Sequence, residues 1–164
     1  MNNNIKGFTL IEVLISIVIL SIGLLGIVPL LISNIRLNEE ISMRNGALKI
    51  IEGHSVSLRG INYDDFTVNN LITNFNFSTS YPNYFSNPTI GSNCPTGYES
   101  RLYKEDSINK IINGSSISYR YLIKLCIDED FLYPYLKKAH LWVFWKYRNK
   151  FHKMETEIFI GKKT

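Results

Sequence analysis

The apolar residues of this 164-residue chain are concentrated near its N-terminus. From Phe8 to Ile32 the only ionisable residue is Glu12. About 25 residues at a rise of about 1.5 Å each make a helix of roughly 37 Å, which is long enough to cross a hydrocarbon core of about 30 Å. The pattern therefore predicts a membrane-spanning helix over residues 8–32, preceded by a short polar leader, residues 1–7.

Two other structures can place an apolar run at an N-terminus. A cleaved secretory signal has an apolar stretch of about 7–15 residues followed by a small-residue cleavage site. This run is longer, and no A-x-A-like site follows it. A buried core helix would be shorter than this segment. A membrane anchor is therefore the favoured interpretation.

Three helix-weakening residues, Gly23, Gly26 and Pro29, lie near the distal end of the apolar run. Proline removes a backbone donor and clashes with the preceding turn, and glycine adds conformational freedom. We expect a kink or a locally unwound stretch near Ile22–Pro29, with Pro29 at the kink. Membrane helices also tolerate these residues without a functional role.

Apolar positions continue at helical spacing beyond the span. They recur three, four and seven residues apart, at Leu37, Ile41, Leu48, Ile51 and Leu58. Such spacing is typical of an amphipathic helix. The sequence therefore predicts an amphipathic continuation of the helix over residues 33–58, whose apolar stripe packs against a sheet.

The remaining residues, 59–164, are predicted to form one globular head. Between residues 60 and 110 the sequence loses clean periodicity, and residues 81–88 are rich in turn-forming and aromatic residues. Alternating apolar and polar residues then predict strands over about 117–127 and 154–160, and a largely apolar run predicts another over about 139–147. Turns are predicted at Asn113-Gly114 and at residues 148–150.

Both faces of the second predicted strand are apolar. Leu141, Val143 and Trp145 alternate with His140, Trp142 and Phe144. The long helix can cover one face, and residues 60–110 or a neighbouring subunit can cover the other. The predicted fold is α+β, with a long N-terminal α-helix packed on a C-terminal antiparallel β-meander.

The carboxylate of Glu12 needs an explanation, because a charged side chain in a bilayer helix costs about 2.5–3.5 kcal/mol on insertion scales. A partner exists if the chain is cut between Gly7 and Phe8. The new α-amino group would be largely cationic at neutral pH. Glu12 would lie about 6 Å along the helix from that amine, on the same face. With a small axial stagger, Glu12 of one chain can also meet the amine of its neighbour.

Residues 7–14, with the sequence Gly-Phe-Thr-Leu-Ile-Glu-Val-Leu, resemble the cleavage and methylation motif of type IV prepilins and of secretion and competence pseudopilins. The resemblance implies cleavage after Gly7 by a prepilin peptidase, N-methylation of Phe8 and a role for Glu12 in subunit docking. Pro29 lies where major pilins often carry a proline. The implied fold is pilin-like.

The resemblance also implies the setting in which the chain acts. It places the leader in the cytoplasm and the head outside the inner membrane. The charges that flank the span do not decide this orientation by themselves. The implied partners are other pilin or pseudopilin subunits, the prepilin peptidase and methyltransferase, the inner-membrane assembly platform and the membrane itself. After membrane insertion, the implied destination is a pilus or a pseudopilus.

The C-terminal hairpin resembles that of V-type minor pilins, in which a strand ending in Trp precedes a turn and a final strand. Two features depart from that pattern. The turn at residues 148–150 lacks a glycine, and no Thr-rich stretch precedes Trp145.

Two cysteines, Cys94 and Cys126, lie in the head. Because an oxidising compartment usually pairs the cysteines of a two-cysteine domain, we expect a disulfide between them. Two unpaired thiols are the alternative, since Cys126 also fits a strand core.

The sequence predicts no catalytic, cofactor-binding or metal site, and no small-molecule substrate. His54, His140 and His152 have no metal-ligand spacing with either cysteine. The carboxylates of residues 128–130 lack the loop of an EF-hand. No catalytic triad order or phosphate-binding loop appears, so the sequence does not predict an enzyme.

Three functions remain open. The first is a minor pilin or pseudopilin, a structural subunit of a filament. The second is a DNA-binding competence or tip pilin, which would hold DNA through basic residues of the head, Lys137, Lys138, Lys146, Arg148, Lys150 and Lys153. The third is a single-span anchored binding protein that keeps residues 1–7.

Overall fold

The computed structural model describes residues 9–82, 85, 94–98, 100–112, 114–128 and 135–162. It contains two helices and four strands in these residues, in chain order α1 (Leu10–Arg59), α2 (Val68–Phe75), β1 (Ser100–Ile112), β2 (Ser115–Asp128), β3 (Leu136–Tyr147) and β4 (Lys150–Gly161). The fold is α+β, as predicted. The long helix and the strands now numbered β2 to β4 are confirmed.

The chain divides into two compact units, residues 1–41 and residues 42–164. In the first unit the described residues from Leu10 onward are helical, and all of them are exposed. α1 is long and apolar enough to cross a membrane, judged by length and composition. Its helical conformation is unbroken at Pro29. The kink expected there stays a prediction.

The second unit contains one four-stranded antiparallel sheet with the strand order β1-β2-β3-β4. Each strand pairs with its neighbour along the chain, as in a meander. β1 pairs with β2 over thirteen positions, from Ser100 opposite Ile127 to Ile112 opposite Ser115. β2 pairs with β3, with Tyr121 opposite Trp145, and β3 pairs with β4, with Trp145 opposite His152.

Residues 60–110, where the sequence predicts no regular element, contain α2 and most of β1. α2 begins after Thr67, whose hydroxyl accepts a hydrogen bond from Asn70 N, and it ends at Asn76, which adopts a left-handed conformation with φ 55°. β1 was missed because its alternation is poor. The adjacent residues Leu102 and Tyr103 are both buried, one on each face of the sheet, whereas Asn109, Lys110 and Ile111 in the distal half are exposed.

The inner face of the sheet packs on residues of α1 that belong to the second unit. These buried helix residues are Gly46, Ala47, Ile50, Ile51, Ser55 and Leu58. The predicted stripe was therefore only partly right, because Leu48 is 37% exposed, and Leu37 and Ile41 are exposed residues of the first unit. The stripe was predicted from the positions of large apolar residues. The helix face that contacts the sheet instead includes the small residues at 46 and 47, which let the sheet approach the helix.

The outer face of the sheet is also apolar and covered. Its buried residues include Leu122, Cys126, Trp142 and Phe144. Tyr81, Phe85, Cys94 and Tyr98 pack over them. The prediction that residues 60–110 supply this cover is confirmed for the described residues. Residues 83–84 and 86–88 of the predicted aromatic loop, residues 81–88, lie outside the described residues.

Candidate functional site at the start of α1

The first turn of α1 is organised by the side chains of Thr9 and Glu12. The carboxylate oxygen Oε2 of Glu12 accepts hydrogen bonds from the backbone N–H and the hydroxyl of Thr9, each at 2.9 Å. The backbone N–H of Glu12 in turn lies 3.4 Å from Thr9 Oγ1. Each residue therefore satisfies a backbone donor of the other.

This reciprocal arrangement is a capping box, in which a Ser or Thr before the first helical residue pairs with a Glu or Gln three positions later. It satisfies backbone donors at the helix start that have no intrahelical acceptor. The role of Thr9 was not predicted from the sequence. The signal was present as the T-x-x-E spacing of residues 9–12 directly before an apolar run.

Other polar side chains of the apolar run bond to their own helix. Ser16 Oγ donates to Glu12 O and Ser21 Oγ donates to Ile17 O, each at 2.7 Å. Such bonds to the carbonyl four residues earlier satisfy the hydroxyls without an outside partner. The surface of this segment is consequently almost wholly apolar.

That apolar surface is fully exposed in the single chain. Leu10 is 80% exposed and Leu25 is 75% exposed, and the large residues between them are similarly uncovered. Soluble monomers rarely expose contiguous apolar patches larger than a few hundred Å². The segment therefore requires a cover of lipid or of other protein chains.

The other residues singled out at this end, Gly7 and Phe8, lie outside the described residues. Cleavage between them and methylation of Phe8 accordingly stay predictions, as does the pairing of Glu12 with a new α-amino group.

The predicted cysteine pair is joined in the structure. Cys94 and Cys126 form a disulfide with a Cα–Cα distance of 5.8 Å. Cys126 is a fully buried residue of β2, and Cys94 precedes β1. The bond attaches the segment that includes Tyr98 to the outer face of the sheet.

The six basic residues named for DNA binding do not form one surface. Lys137 Nζ donates to Tyr63 O and Phe66 O, each at 2.9 Å. Lys138 and Lys153 form ion pairs with Glu157 and Glu155, at 2.9 Å and 3.2 Å. The other three, Lys146, Arg148 and Lys150, lie together at the β3–β4 turn, and all three are exposed.

The histidines lie in separate places. His54 Nε2 of α1 lies 3.5 Å from Asp106 Oδ2 of β1, and burial together with nearby Lys104 lowers the pKa of the imidazole. His140 stacks on Trp142, and burial lowers its pKa although Glu155 and Glu157 lie near. His152 stacks on Trp145. Within the part of the chain that the structure describes, no group of metal-binding side chains occurs.

Residues 2–28 match the family profile described as the prokaryotic N-terminal methylation motif. The match includes Gly7, Phe8 and the Thr9–Glu12 capping box. No curated protein and no solved structure matched the chain.

The motif and the α+β fold support assignment to the type IV prepilin and pseudopilin family. The motif supports a type IV pilin-like protein and suggests a structural subunit. Together with the N-terminal apolar helix, the motif fits an inner-membrane-anchored pilin that assembles with other pilin subunits.

Proposed function

We propose that this chain is a minor pilin or pseudopilin, an assembly subunit of a type IV pilus or of a related secretion or competence filament. The observation that carries the proposal is the methylation motif at residues 2–28, which opens a long helix whose apolar surface is wholly exposed. Such a surface needs lipid before assembly and neighbouring helices afterwards. A single subunit provides neither.

In the proposed pathway, residues 1–7 are a leader that prepilin peptidase removes between Gly7 and Phe8, and Phe8 is then N-methylated. Residues 8–32 anchor the subunit in the inner membrane and later pack inside the filament. Residues 33–58 continue the helix into the head, residues 59–164, which lies outside the cytoplasm. Pro29 would mark a kink. The inner-membrane assembly platform would receive the processed subunit.

Glu12 would have two roles in this pathway. Both bonds from Thr9 end on Oε2, so the capping box leaves Oε1 as an acceptor for a donor of another chain. In a low-dielectric layer, an α-ammonium group of a neighbour would be attracted strongly to this carboxylate. The capping box holds the carboxylate at the helix start without consuming all of its acceptor capacity.

Two substitutions at one position separate these roles. Glu12→Gln keeps an oxygen that can accept from Thr9 N but removes the charge, whereas Glu12→Ala removes both. We expect both variants to insert into the membrane and both to be lost from sheared filaments. Both fractions can be measured by immunoblot in the native host. Normal incorporation of Glu12→Gln would contradict the charge-based docking role, and Thr9→Val serves as the control that weakens the cap alone.

Processing is tested by intact-mass analysis of the protein purified from native membranes. We expect a chain that begins at Phe8 and carries one added methyl group. A chain that retains residues 1–7 would instead support an unprocessed single-span anchored protein. Gly7→Leu provides the matched control, because a bulky residue at the cleavage site should leave the leader attached.

A further inference from the structure

The charges of the second unit are unevenly placed. Tyr121 Oη donates to Met43 O, and Lys110 Nζ donates to Ser42 Oγ at 2.9 Å. Lys110 and Tyr121 lie near the β1–β2 turn, and Trp145, which is opposite Tyr121, lies near the β3–β4 turn. Both hairpin turns therefore lie at the end of the sheet where α1 enters the unit.

A sequence count shows how strong this asymmetry is. Residues 42–46, 106–112, 114–120 and 146–152, which lie at this end, contain six Lys or Arg and one Asp. The other residues of the unit, within 42–164, contain ten Lys or Arg and ten Asp or Glu. The net positive charge of the unit therefore belongs to one end.

Three of these cations are held outward at the β3–β4 turn. Lys146 Nζ lies 5.6 Å from the centroid of the Phe151 ring, and Arg148 Cζ lies 5.4 Å from that of Tyr147. Lys146, Arg148 and Lys150 are all exposed. Stacking on aromatic rings orients the first two groups and leaves their charge available to an anionic partner.

The neighbouring β1–β2 turn adds exposed aliphatic side chains. Ile111 is 77% exposed and Ile117 is 40% exposed. Cations beside exposed aliphatic groups are typical of surfaces that lie on a bilayer, where the charges meet anionic headgroups and the apolar groups enter the interface. Nucleic acid would instead favour exposed aromatic rings for stacking or polar groups for base readout.

We propose that the end of the sheet that carries Lys146, Arg148, Lys150, Ile111 and Ile117, here called the tip surface, binds anionic phospholipid headgroups of the membrane that anchors the subunit. Ile111 and Ile117 lie on opposite faces of the sheet, so both faces contribute to this end. The tip surface would hold the head on the bilayer before extraction into a filament. Ser42 is the tenth residue after Ile32, so the intervening chain is at most about 35 Å long even when extended. A tether of this length lets the tip surface reach a bilayer that holds residues 8–32.

The inference rests on the membrane anchorage that the proposed function gives to residues 8–32. The test uses the full chain in liposomes, with a fluorophore on Ser116→Cys at the β1–β2 turn, or on Asn62→Cys at the opposite end of the sheet. Lipids with a nitroxide on the headgroup quench a label that lies near the bilayer surface. Flotation of the vesicles measures anchorage separately.

We expect quenching of the Ser116 label in bilayers containing phosphatidylglycerol, little quenching of the Asn62 label, and loss of the effect at high salt. The variant K146Q/R148Q/K150Q should lower the ratio of docked to undocked heads on the order of 100-fold. Each cation near an anionic bilayer contributes about 1 kcal/mol, and about 1.4 kcal/mol corresponds to a tenfold change in the ratio. The variant K49Q/R59Q/K162Q loses the same charge elsewhere and should keep the ratio.

Each other outcome counts against the proposal. Equal quenching in neutral phosphatidylcholine, or equal loss with both triple variants, would overturn the role of these three cations. Binding of a short DNA duplex that only K146Q/R148Q/K150Q abolishes, without lipid quenching, would assign the surface to nucleic acid. If the chain floats with the vesicles but the label is not quenched, this inference fails alone. If the chain does not float, the proposed anchorage fails.

Discussion

The phenol of Tyr121 occupies the space that a side chain at Gly46 would need. A Cβ placed on Gly46 would meet Tyr121 Oη, and would lie 3.0 Å from Tyr121 Cζ and 3.2 Å from Ile108 Cδ1. Tyr121 Oη donates to Met43 O at 3.0 Å, and burial raises the pKa of the phenol to about 12, so it keeps this proton at neutral pH. The missing Cβ thus lets the sheet bond directly to the helix backbone.

Substitution Gly46→Ala should destabilise the head by about 1–3 kcal/mol, because overpacking outweighs the better helix propensity of alanine. Gly53→Ala is the matched control. Nothing lies within 4 Å of a Cβ at that position, so this variant should be stabilised by about 0.5–1 kcal/mol. Denaturant unfolding of the full chain in detergent, followed by tryptophan fluorescence, measures both. The double variant Gly46→Ala/Tyr121→Phe should recover part of the loss, and an additive loss would contradict the contact.

The β3–β4 turn contains two residues with positive φ, Arg148 at 48° and Asn149 at 62°. Two-residue hairpin turns with both angles positive favour Asn-Gly. Asn149→Gly should therefore stabilise the head by up to about 1 kcal/mol, whereas Asn149→Ala should destabilise it by about 1 kcal/mol. The same unfolding measurement distinguishes the two, and a gain with alanine would exclude the left-handed conformation.

Stability should fall as the pH decreases below about 6.5, the ordinary pKa of histidine. The pKa values of His54 and His140 are lowered in the folded chain, chiefly by burial. Below the unfolded pKa, the unfolded chain therefore binds more protons than the folded chain, and protonation favours unfolding. The free energy of unfolding at pH 7.5 and 5.5 measures the effect.

The matched control for this pH dependence is the double variant His54→Gln/His140→Gln, which should flatten the profile in that range. The pKa of Glu155 is lowered chiefly by a hydrogen bond from Lys153. Glu155 therefore changes the stability only below its ordinary pKa of 4.5, outside the pH range of this comparison. A profile unchanged by the double variant would assign the pH dependence to other groups.

Reduction of the disulfide should cost about 2–4 kcal/mol of stability, since Cys94 and Cys126 close a loop with a sequence separation of 32. The cover of the outer face should also loosen, so that Tyr81 and Phe85 become accessible to chymotrypsin. Urea midpoints with and without reductant measure the first effect. The variant Cys94→Ser/Cys126→Ala should show no response to reductant.

The strands β2 and β4 could be predicted from their alternating side chains, and β3 from a largely apolar run of seven residues, 139–145. β1 could not, because its place in the sheet depends on pairing with β2 along thirteen positions rather than on its own pattern. Glu12 was recognisable as a carboxylate in an apolar run. The role of Thr9 required the hydrogen bonds to be seen, although its spacing from Glu12 already suggested a cap.

The sequence by itself determined the apolar run of residues 8–32, the single carboxylate of that run and the methylation motif, because these features depend on residues close together in the chain. Only the tertiary structure decided that Gly46 faces Tyr121, that Tyr81 and Phe85 cover the outer face, and that Lys137 is separated from Lys146. These relationships join residues that are distant in the chain, and strand register and helix packing place them. The motif at residues 7–14 predicts how the chain is processed, whereas the folded head decides which surface the chain presents.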